Sequence, residues 1–406
     1  MANKVPFVYI ENTLKCNLKC TMCSNPSEHE MNAMSREEII SLIDYFSEIT
    51  DKIIFSGGES LMDSNIVEYV RRIPQGKEIV MLTNGTMFDS KNFEEVVPYL
   101  TELRVSIDDM YDAKTSQYRL GSSPVEIIEK MKKARKLNDD MIIVITSILN
   151  SSFVDKVKDF VDYFIEHESQ VDVIRFIPQI YYKGRAPESI KGERYRCMDF
   201  EYIAKAITPF VKDYIENKKY ELIDVDIQHL FSSEVFSDDF RFESYSAEQK
   251  CCEYQKGIFV NNNGDLIYCP NSQLPIVNIR SVKKLDELVV ARDEALQEDK
   301  HHLTDIAIKD KRICSSCRYM KLCGGGCSAI AYNTTNDVKN PDYVKCGFNI
   351  VWEKHILPLL PDTIREVYIE ALNMSGINPD YYNNIYEIVN RFKPVLHTED
   401  YFGKGV

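Results

Sequence analysis

The chain has 406 residues, a formal net charge of −14 and twelve cysteines. That length holds two or three domains, and the acidic balance argues against a nucleic-acid partner, which needs a basic face to neutralise phosphates. No apolar run approaches the roughly 18 residues of a membrane span, and Met1–Pro6 is too short for a secretory signal ahead of the first strand, so a cytosolic chain without a membrane partner is expected.

In chain order, Val5–Glu11 reads as a strand that runs into a cysteine-rich loop. Ser35 followed by Glu38 has capping-box chemistry and opens a helix carrying Ile39, Ile40, Leu42, Ile43 and Phe46. Lys52–Phe55, Glu78–Leu82, Leu103–Ile107, Met141–Ser147 and Val171–Ile177 read as further strands. Asn65–Arg72, Lys91–Leu100, Ser123–Leu137 and Val154–Glu166 read as the helices between them. The basic run Lys130–Lys136 falls on one of these helices and reads as a solvated face. Six βα-type units in succession predict an α/β fold with a parallel sheet and outer helices. Residues 199–250 read as a connection, with Ser232–Tyr245 either a loop near the substrate entry or a plain surface loop. Ile258–Val260, Asn261–Gly264 and Leu266–Tyr268 together predict a β-hairpin. Helical patterns follow Cys346, at Ile350–Ile356, Thr363–Leu372 and Tyr381–Phe392, ahead of an irregular tail from Pro394 to Val406.

In parallel α/β folds the reactive groups collect at the C-terminal ends of the strands, and the unusual residues of this chain fall there. Cys16, Cys20 and Cys23 form C-x3-C-x2-C after the first strand, and Ser56-Gly57-Gly58-Glu59 follows the second. Thr83-Asn84-Gly85 follows the third, Ser106-Ile107-Asp108-Asp109 the fourth, Thr146-Ser147 ends the fifth, and Tyr182–Ala186 lies beyond the sixth. Each group alone is weak evidence; together they sit on one rim and outline one pocket. Three thiolates cannot close a zinc site, which takes four ligands, whereas they suit an iron–sulfur cluster with one iron left open.

The cysteine loop and this rim resemble the radical S-adenosylmethionine (radical SAM) family over residues 5 to about 195, which implies a partial (β/α)6 TIM-like barrel. The resemblance implies a 4Fe-4S cluster on Cys16, Cys20 and Cys23 whose free iron chelates S-adenosyl-L-methionine (SAM) and, on reduction, yields a 5′-deoxyadenosyl radical. It further implies Gly57, Gly58 and Glu59 at the SAM amino group, Arg119 at its carboxylate, and Met22 at adenine through its backbone, where relatives carry an aromatic residue. Ser106, Ser147 and Ile177 complete the cofactor-binding set, and Tyr118 accompanies Arg119. As ordinary residues, Ser106, Tyr118 and Arg119 would serve as cap, core and surface. No catalytic acid or base is assigned; Asp108, Asp109, Tyr181 and Tyr182 are simply well placed on the rim.

The C-terminal cysteines form a second constellation, C-x2-C-x5-C-x3-C-x18-C, from Cys314, Cys317, Cys323, Cys327 and Cys346, with Cys252 and Cys269 upstream. Two zinc ribbons would also use the eight cysteines after residue 250, but ribbons prefer paired C-x2-C knuckles and only one exists here. The spacing resembles the SPASM domain, a small cysteine-rich extension with a β-hairpin and C-terminal helices that carries two auxiliary 4Fe-4S clusters. The resemblance places Cys252, Cys269 and Cys327 on the nearer cluster and Cys314, Cys317, Cys323 and Cys346 on the distal one, with Gly324–Gly326 giving room for the chain to reverse. The fourth ligand of the nearer cluster stays open among Cys251, Cys197 and an unligated iron. The domains expected are 1–195 (barrel), 196–250 (bridge), 251–350 (SPASM) and 351–406 (helical extension). The resemblance implies an oxidoreductase that modifies a ribosomally made peptide or protein side chain, such as a thioether or other crosslink, with a flavodoxin or ferredoxin-type electron donor. The alternative is a small-molecule (sugar or aminocyclitol) dehydrogenase or oxidase. The start of the barrel near residue 5, with no leader-binding module ahead of it, and the Met22-Cys23 ending both favour that alternative.

Overall fold

The computed structural model describes residues 4–25, 32–109, 116–149, 153–167, 170–178, 200–237, 245–249, 257–272, 274–298, 303 and 306–373. The expected alternation is present. β1 (Val8–Thr13) leads through the short β2 (Lys19–Cys20) to α1 (Arg36–Ile49), then β3 (Lys52–Gly57), α2 (Ile66–Arg72), β4 (Glu78–Thr83) and α3 (Lys91–Val96). β5 (Glu102–Ser106), the short β6 (Arg119–Leu120), α4 (Pro124–Leu137), β7 (Ile142–Leu149), α5 (Val157–Glu166) and β8 (Val173–Pro178) complete the six units. Local chemistry sets the helix starts. Ser35 accepts from the Glu38 N–H at 3.2 Å while its own N–H donates to the Glu38 carboxylate at 2.8 Å, the reciprocal capping box read from the sequence. Pro124 opens α4 at a position where its missing N–H costs nothing. The basic run of α4 faces solvent partners, with Lys130 on Asp89 at 2.7 Å and Lys133 on Glu94 at 2.7 Å.

The sheet order is β10-β9-β8-β7-β5-β4-β3-β1-β11-β12-β13, and every pair from β9 to β11 is parallel. Here β9 is Asp224–Ile227, β10 Phe231–Ser232, β11 Ile258–Val260, β12 Asp265–Ile267 and β13 Pro275–Asn278, with α7 (Leu288–Gln297) following β13. Two features go beyond the sequence reading. The connecting region contributes α6 (Phe200–Glu216) and β9, which extends the parallel sheet past its sixth strand, and the start of the expected Ser232–Tyr245 loop is β10 followed by a tight turn at Ser233–Phe236. The predicted hairpin forms, with Phe259 opposite Ile267 and Gly264 in the left-handed region at φ +81°. Its first arm pairs with β1, so the cysteine-rich segment is welded to the barrel edge.

Side chains alternate across each strand. Val8, Ile10, Ile53, Phe55, Ile79, Met81, Leu103, Val105, Ile143, Ile145, Ile174 and Phe176 join Leu42, Phe46, Val70, Phe93 and Phe160 of the helices in one core. The intervening positions, including Tyr9, Glu11, Ser56, Arg104, Ser106, Thr146, Arg175 and Ile177, point to the opposite, more polar face. Among the described residues no helix is long and apolar enough to cross a membrane.

Candidate active site

The cysteine loop leaves β1 where the register with β3 shifts between Glu11 and Thr13. Gly58 N–H donates to the Thr13 carbonyl at 2.7 Å and Glu59 N–H to the Lys15 carbonyl at 2.8 Å, so the turn after β3 is laced to the chain entering Cys16. Both glycines are needed for this approach. A Cβ on Gly57 would lie 2.0 Å from the Thr13 oxygen, and one on Gly58 2.3 Å from the Leu14 and Lys15 oxygens. The backbone these glycines admit is that of the cysteine loop.

Glu59 is wholly enclosed, at 0% exposure. Its carboxylate accepts from Thr83 Oγ1 at 2.9 Å, Asn84 N at 2.7 Å and Leu61 N at 3.2 Å, which ties the ends of β3 and β4 together. Burial raises its carboxyl above the ordinary range, against the pull of those three donors. The side chain expected to pair with an ammonium is thus committed to neighbouring loops. Asn84, placed on the rim by the sequence as part of Thr83-Asn84-Gly85, is a further member of the site. Its Nδ2 lies 2.9 Å from Asn17 Oδ1 and 3.8 Å from Cys16 Sγ.

The other side of the loop is held by a small two-stranded sheet in which Cys20 of β2 stands directly opposite Arg119 of β6. Thr21 N–H donates to the Tyr118 carbonyl at 2.8 Å, fixing the turn that carries the half-buried Met22. Arg119 Nη1 comes within 3.8 Å of Cys20 Sγ while its Nε donates to Asp108 in a salt bridge whose carboxylate is 0% exposed. The Asp108 and Cys20 charges hold Arg119 above its usual range, although burial opposes them. Asp109 accepts from Ser116 Oγ and, at 3.2 Å, from Gln117 N, so both rim aspartates position the loop that bears Arg119. Burial pushes the Cys20 thiol up to about 11, with Arg119 opposing and Cys23 and Cys16 adding to the rise.

Ser106 and Ile177 lie on the polar face of the sheet, at or near the ends of β5 and β8. Ser147 does not. It alternates with Thr146 and Ile148, shares its face with Ile145 and Leu149 in the helix-packed core, and is 0% exposed, with no partner for its hydroxyl among the described residues. The assignment of its side chain to the cofactor is corrected on that ground: one-residue alternation turns it away, and Thr146 and Ile148 are the neighbours that face the pocket. Tyr181, Tyr182 and the rest of the segment after the sixth strand lie outside the described residues.

In the C-terminal region, Cys314, Cys317, Cys323 and Cys346 line one small cavity with Tyr319, Met320, Gly325 and Asn349. Burial pushes the Cys317 thiol up to about 12, and burial together with Cys323, Cys317 and Cys314 raises Cys346 further from ionisation. Cys323 ends the short helix α8 (Met320–Cys323), after which Gly324, Gly325 and Gly326 are all left-handed, at φ +63°, +76° and +67°. Three such residues in a row reverse the chain, and only glycine fits. A Cβ would meet the Tyr245 ring at 2.8 Å from Gly324 and Asp342 Cβ at 2.5 Å from Gly326. Cys327 then precedes α9 (Ser328–Thr335), its N–H donating to Asp342 Oδ2 at 3.0 Å, while Asp342 Oδ1 caps α10 (Tyr343–Val351), the helix carrying Cys346. Cys269 lies on the turn after β12, which Asn333 of α9 reaches through the Asn271 carbonyl at 3.0 Å. Cys197, Cys251 and Cys252 lie outside the described residues.

The nine cysteines among the described residues are free thiols, and no three His, Cys, Asp or Glu among those residues converge tightly enough to hold a single metal ion. A cubane has different demands, since its ligands bind separate iron atoms and stand apart. The donor sets fit that group. One loop presents three thiols, two of them with an N–H donor at 3.8 Å, and one cavity is lined by four.

Residues 10–163 match the family model "Radical SAM superfamily". A GTP 3',8-cyclase of Limosilactobacillus fermentum is 27% identical over 180 residues, which are 42% of this chain and 54% of the cyclase. The chain thus spans about half the length of the curated relatives it matches. Among solved structures, anSMEcpe with bound AdoMet superposes with a TM-score of 0.62 at 18% identity, covering 91% of this chain and 99% of that one. Streptococcus suis SuiB bound to its precursor peptide SuiA gives 0.62 at 17% identity, over 84% of this chain and 75% of that one. These likenesses bear out the mixed α/β partial-barrel fold with a cysteine-rich C-terminal region. Over residues 10–163 the chain is thus similar to the radical SAM domain.

Proposed function

We propose that this chain is a radical SAM oxidoreductase that modifies a peptide or protein side chain and carries two auxiliary clusters besides the SAM cluster. The observation that carries this reading is the paired donor arrangement: three thiols on the rim loop and four more lining a separate cavity. With a 4Fe-4S cluster and SAM bound, the site acquires one-electron reduction and a 5′-deoxyadenosyl radical able to abstract hydrogen. The chain's own part is to hold Cys16, Cys20 and Cys23, to place the Arg119 and Asn84 N–H groups at the cluster sulfurs, and to keep Ser106, Thr146 and Ile177 facing the pocket. Gly57 and Gly58 fix the loop from which Met22 and the neighbouring backbone meet SAM. Cys314, Cys317, Cys323 and Cys346 hold the distal auxiliary cluster, and Cys252, Cys269 and Cys327 the nearer one.

A fold likeness over 84% of the chain to a structure solved with its precursor peptide, and over 91% to one with AdoMet, supports the peptide reading. The sequence relatives support a second reading, a small-molecule substrate, because GTP 3',8-cyclases are the curated proteins matched over the barrel. The test is anaerobic reconstitution followed by metal analysis and turnover. About twelve iron per chain follows from three cubanes; about four iron, or stoichiometric zinc, would reject the auxiliary clusters. Mass loss on a Cys-containing peptide, with 5′-deoxyadenosine formed in step, supports peptide modification, and turnover only with a sugar or nucleotide supports the second reading.

A further inference from the structure

Lys311 is among the most deeply buried side chains of the molecule, with 1% exposure. Its ammonium makes one hydrogen bond, to the Gly325 carbonyl at 3.0 Å, and among the described residues no carboxylate pairs with it. Burying an ammonium against a neutral carbonyl leaves most of its desolvation cost uncompensated. By contrast Arg119, the half-buried cation beside Cys20, has Asp108 in contact. Gly325 is itself part of the wall formed with Cys314, Cys317, Cys323 and Cys346. The chain brings the lysine there deliberately: the turn Ile308–Asp310 delivers it, the left-handed Ile313 follows, and Cys314 comes next.

We propose that Lys311 is the counter-charge of the four-cysteine site, compensated when an anionic thiolate-ligated cluster fills the cavity and setting that cluster's reduction potential. The inference rests on the cluster reading of this site given above. A fixed positive charge one residue behind the cavity wall stabilises the more negative, reduced state over the oxidised one, so it raises the potential. It also places the cost of the buried charge on the empty protein and the gain on the loaded one.

The experiment is potentiometric titration of the anaerobically reconstituted full chain, followed by electron paramagnetic resonance. The signal of this site is identified as the one missing from the Cys314→Ala/Cys317→Ala double variant. In Lys311→Met that signal's midpoint moves to more negative potential, and in Lys311→Arg, which keeps the charge, it stays with the wild type. A chelator strips iron from this site faster in Lys311→Met, whereas the iron-free Lys311→Met protein melts no lower than the iron-free wild type. An unchanged midpoint in Lys311→Met, equal shifts in both variants, or a lower melting point of the iron-free Lys311→Met protein would overturn the proposal, the last by assigning the lysine to holding the glycine turn alone. If the double cysteine variant loses no signal, the cluster reading itself fails, whatever Lys311 does.

Discussion

The rim loop and the C-terminal cavity both gather thiols, yet they do so with different architecture. In the loop, Cys16 and Cys23 are half-buried and only Cys20 is enclosed, and the loop is supported by regular pairing: β1 against β3 below it and the Cys20–Arg119 bridge beside it. In the cavity, Cys314, Cys317 and Cys323 are buried, and their support is a run of short turns, a glycine trio and the caps of two helices. The barrel thus offers a rigid edge with an open side, suited to a ligand that enters and leaves. The C-terminal region encloses Cys314, Cys317 and Cys323 and leaves Cys346 half-buried at the same cavity, suited to a group that stays. The cations differ in the same way. Arg119 is balanced by Asp108 in the protein itself, whereas Lys311 has no carboxylate among the described residues.

The sharpest way to break that contrast is to remove one site and ask what the other still does. Replacing Cys16, Cys20 and Cys23 together by Ala should abolish SAM cleavage completely and lower the iron content by about four per chain, the contents of one cubane. Replacing Cys314 and Cys317 should leave 5′-deoxyadenosine formation measurable while product formation is lost. Equal loss of SAM cleavage in both variants would mean that the two sites are not separable. The protein frameworks can be compared next, in the iron-free state. Glu59→Ala orphans three buried donors at the barrel rim and should cost about 3 kcal/mol in chemical denaturation. SAM affinity, measured separately by calorimetry, should fall with it because the cysteine loop loses its base. Asp342→Ala removes two N–H acceptors from the C-terminal region and should cost about 1–2 kcal/mol, mostly through the lost helix cap. A larger loss for Asp342→Ala than for Glu59→Ala would reverse the ranking of the two frameworks.

The smallest expected effect concerns the joint between the regions. His229, in the turn between β9 and β10, lies against Phe348 of α10 with ring centroids 5.9 Å apart. Burial, then the Lys345 charge, lower its pKa to about 4, against the pull of Asp342. A histidine depressed in the folded state keeps its full contribution above the unfolded value of about 6.5 and loses it as pH falls through that value towards 4. The ring is only half-buried and partly screened by solvent, so acidification from pH 7 to 5 should cost about 1 kcal/mol. His229→Asn, which tolerates the left-handed backbone at φ +70°, should flatten that slope in denaturation curves; an unchanged slope would remove His229 from the account.

Much of this molecule follows from short-range sequence chemistry. The strand–helix alternation, the Ser35–Glu38 cap, the Asn261–Gly264 hairpin and the spacing of both cysteine sets are local, because periodicity, caps, turns and ligand loops involve residues a few positions apart. The rim is legible for the same reason, since reactive groups follow strand ends in any parallel sheet. What only the tertiary structure decided involves distant partners or a one-residue choice of face. Arg119 reaches Cys20 across 99 positions, and the hairpin joins β1 across some 250 residues, the Asn262 N–H donating to Glu11 at 3.3 Å. Ser147 falls on the core face because alternation is counted from packing and not from the strand's composition. Glu59 turns inward because Thr83, Asn84 and Leu61 are brought to it by strand register. Nothing in the local sequence marks Lys311; only the fold lays its turn against Gly325 and encloses it, because burial is a property of what packs around a residue and not of the residue itself.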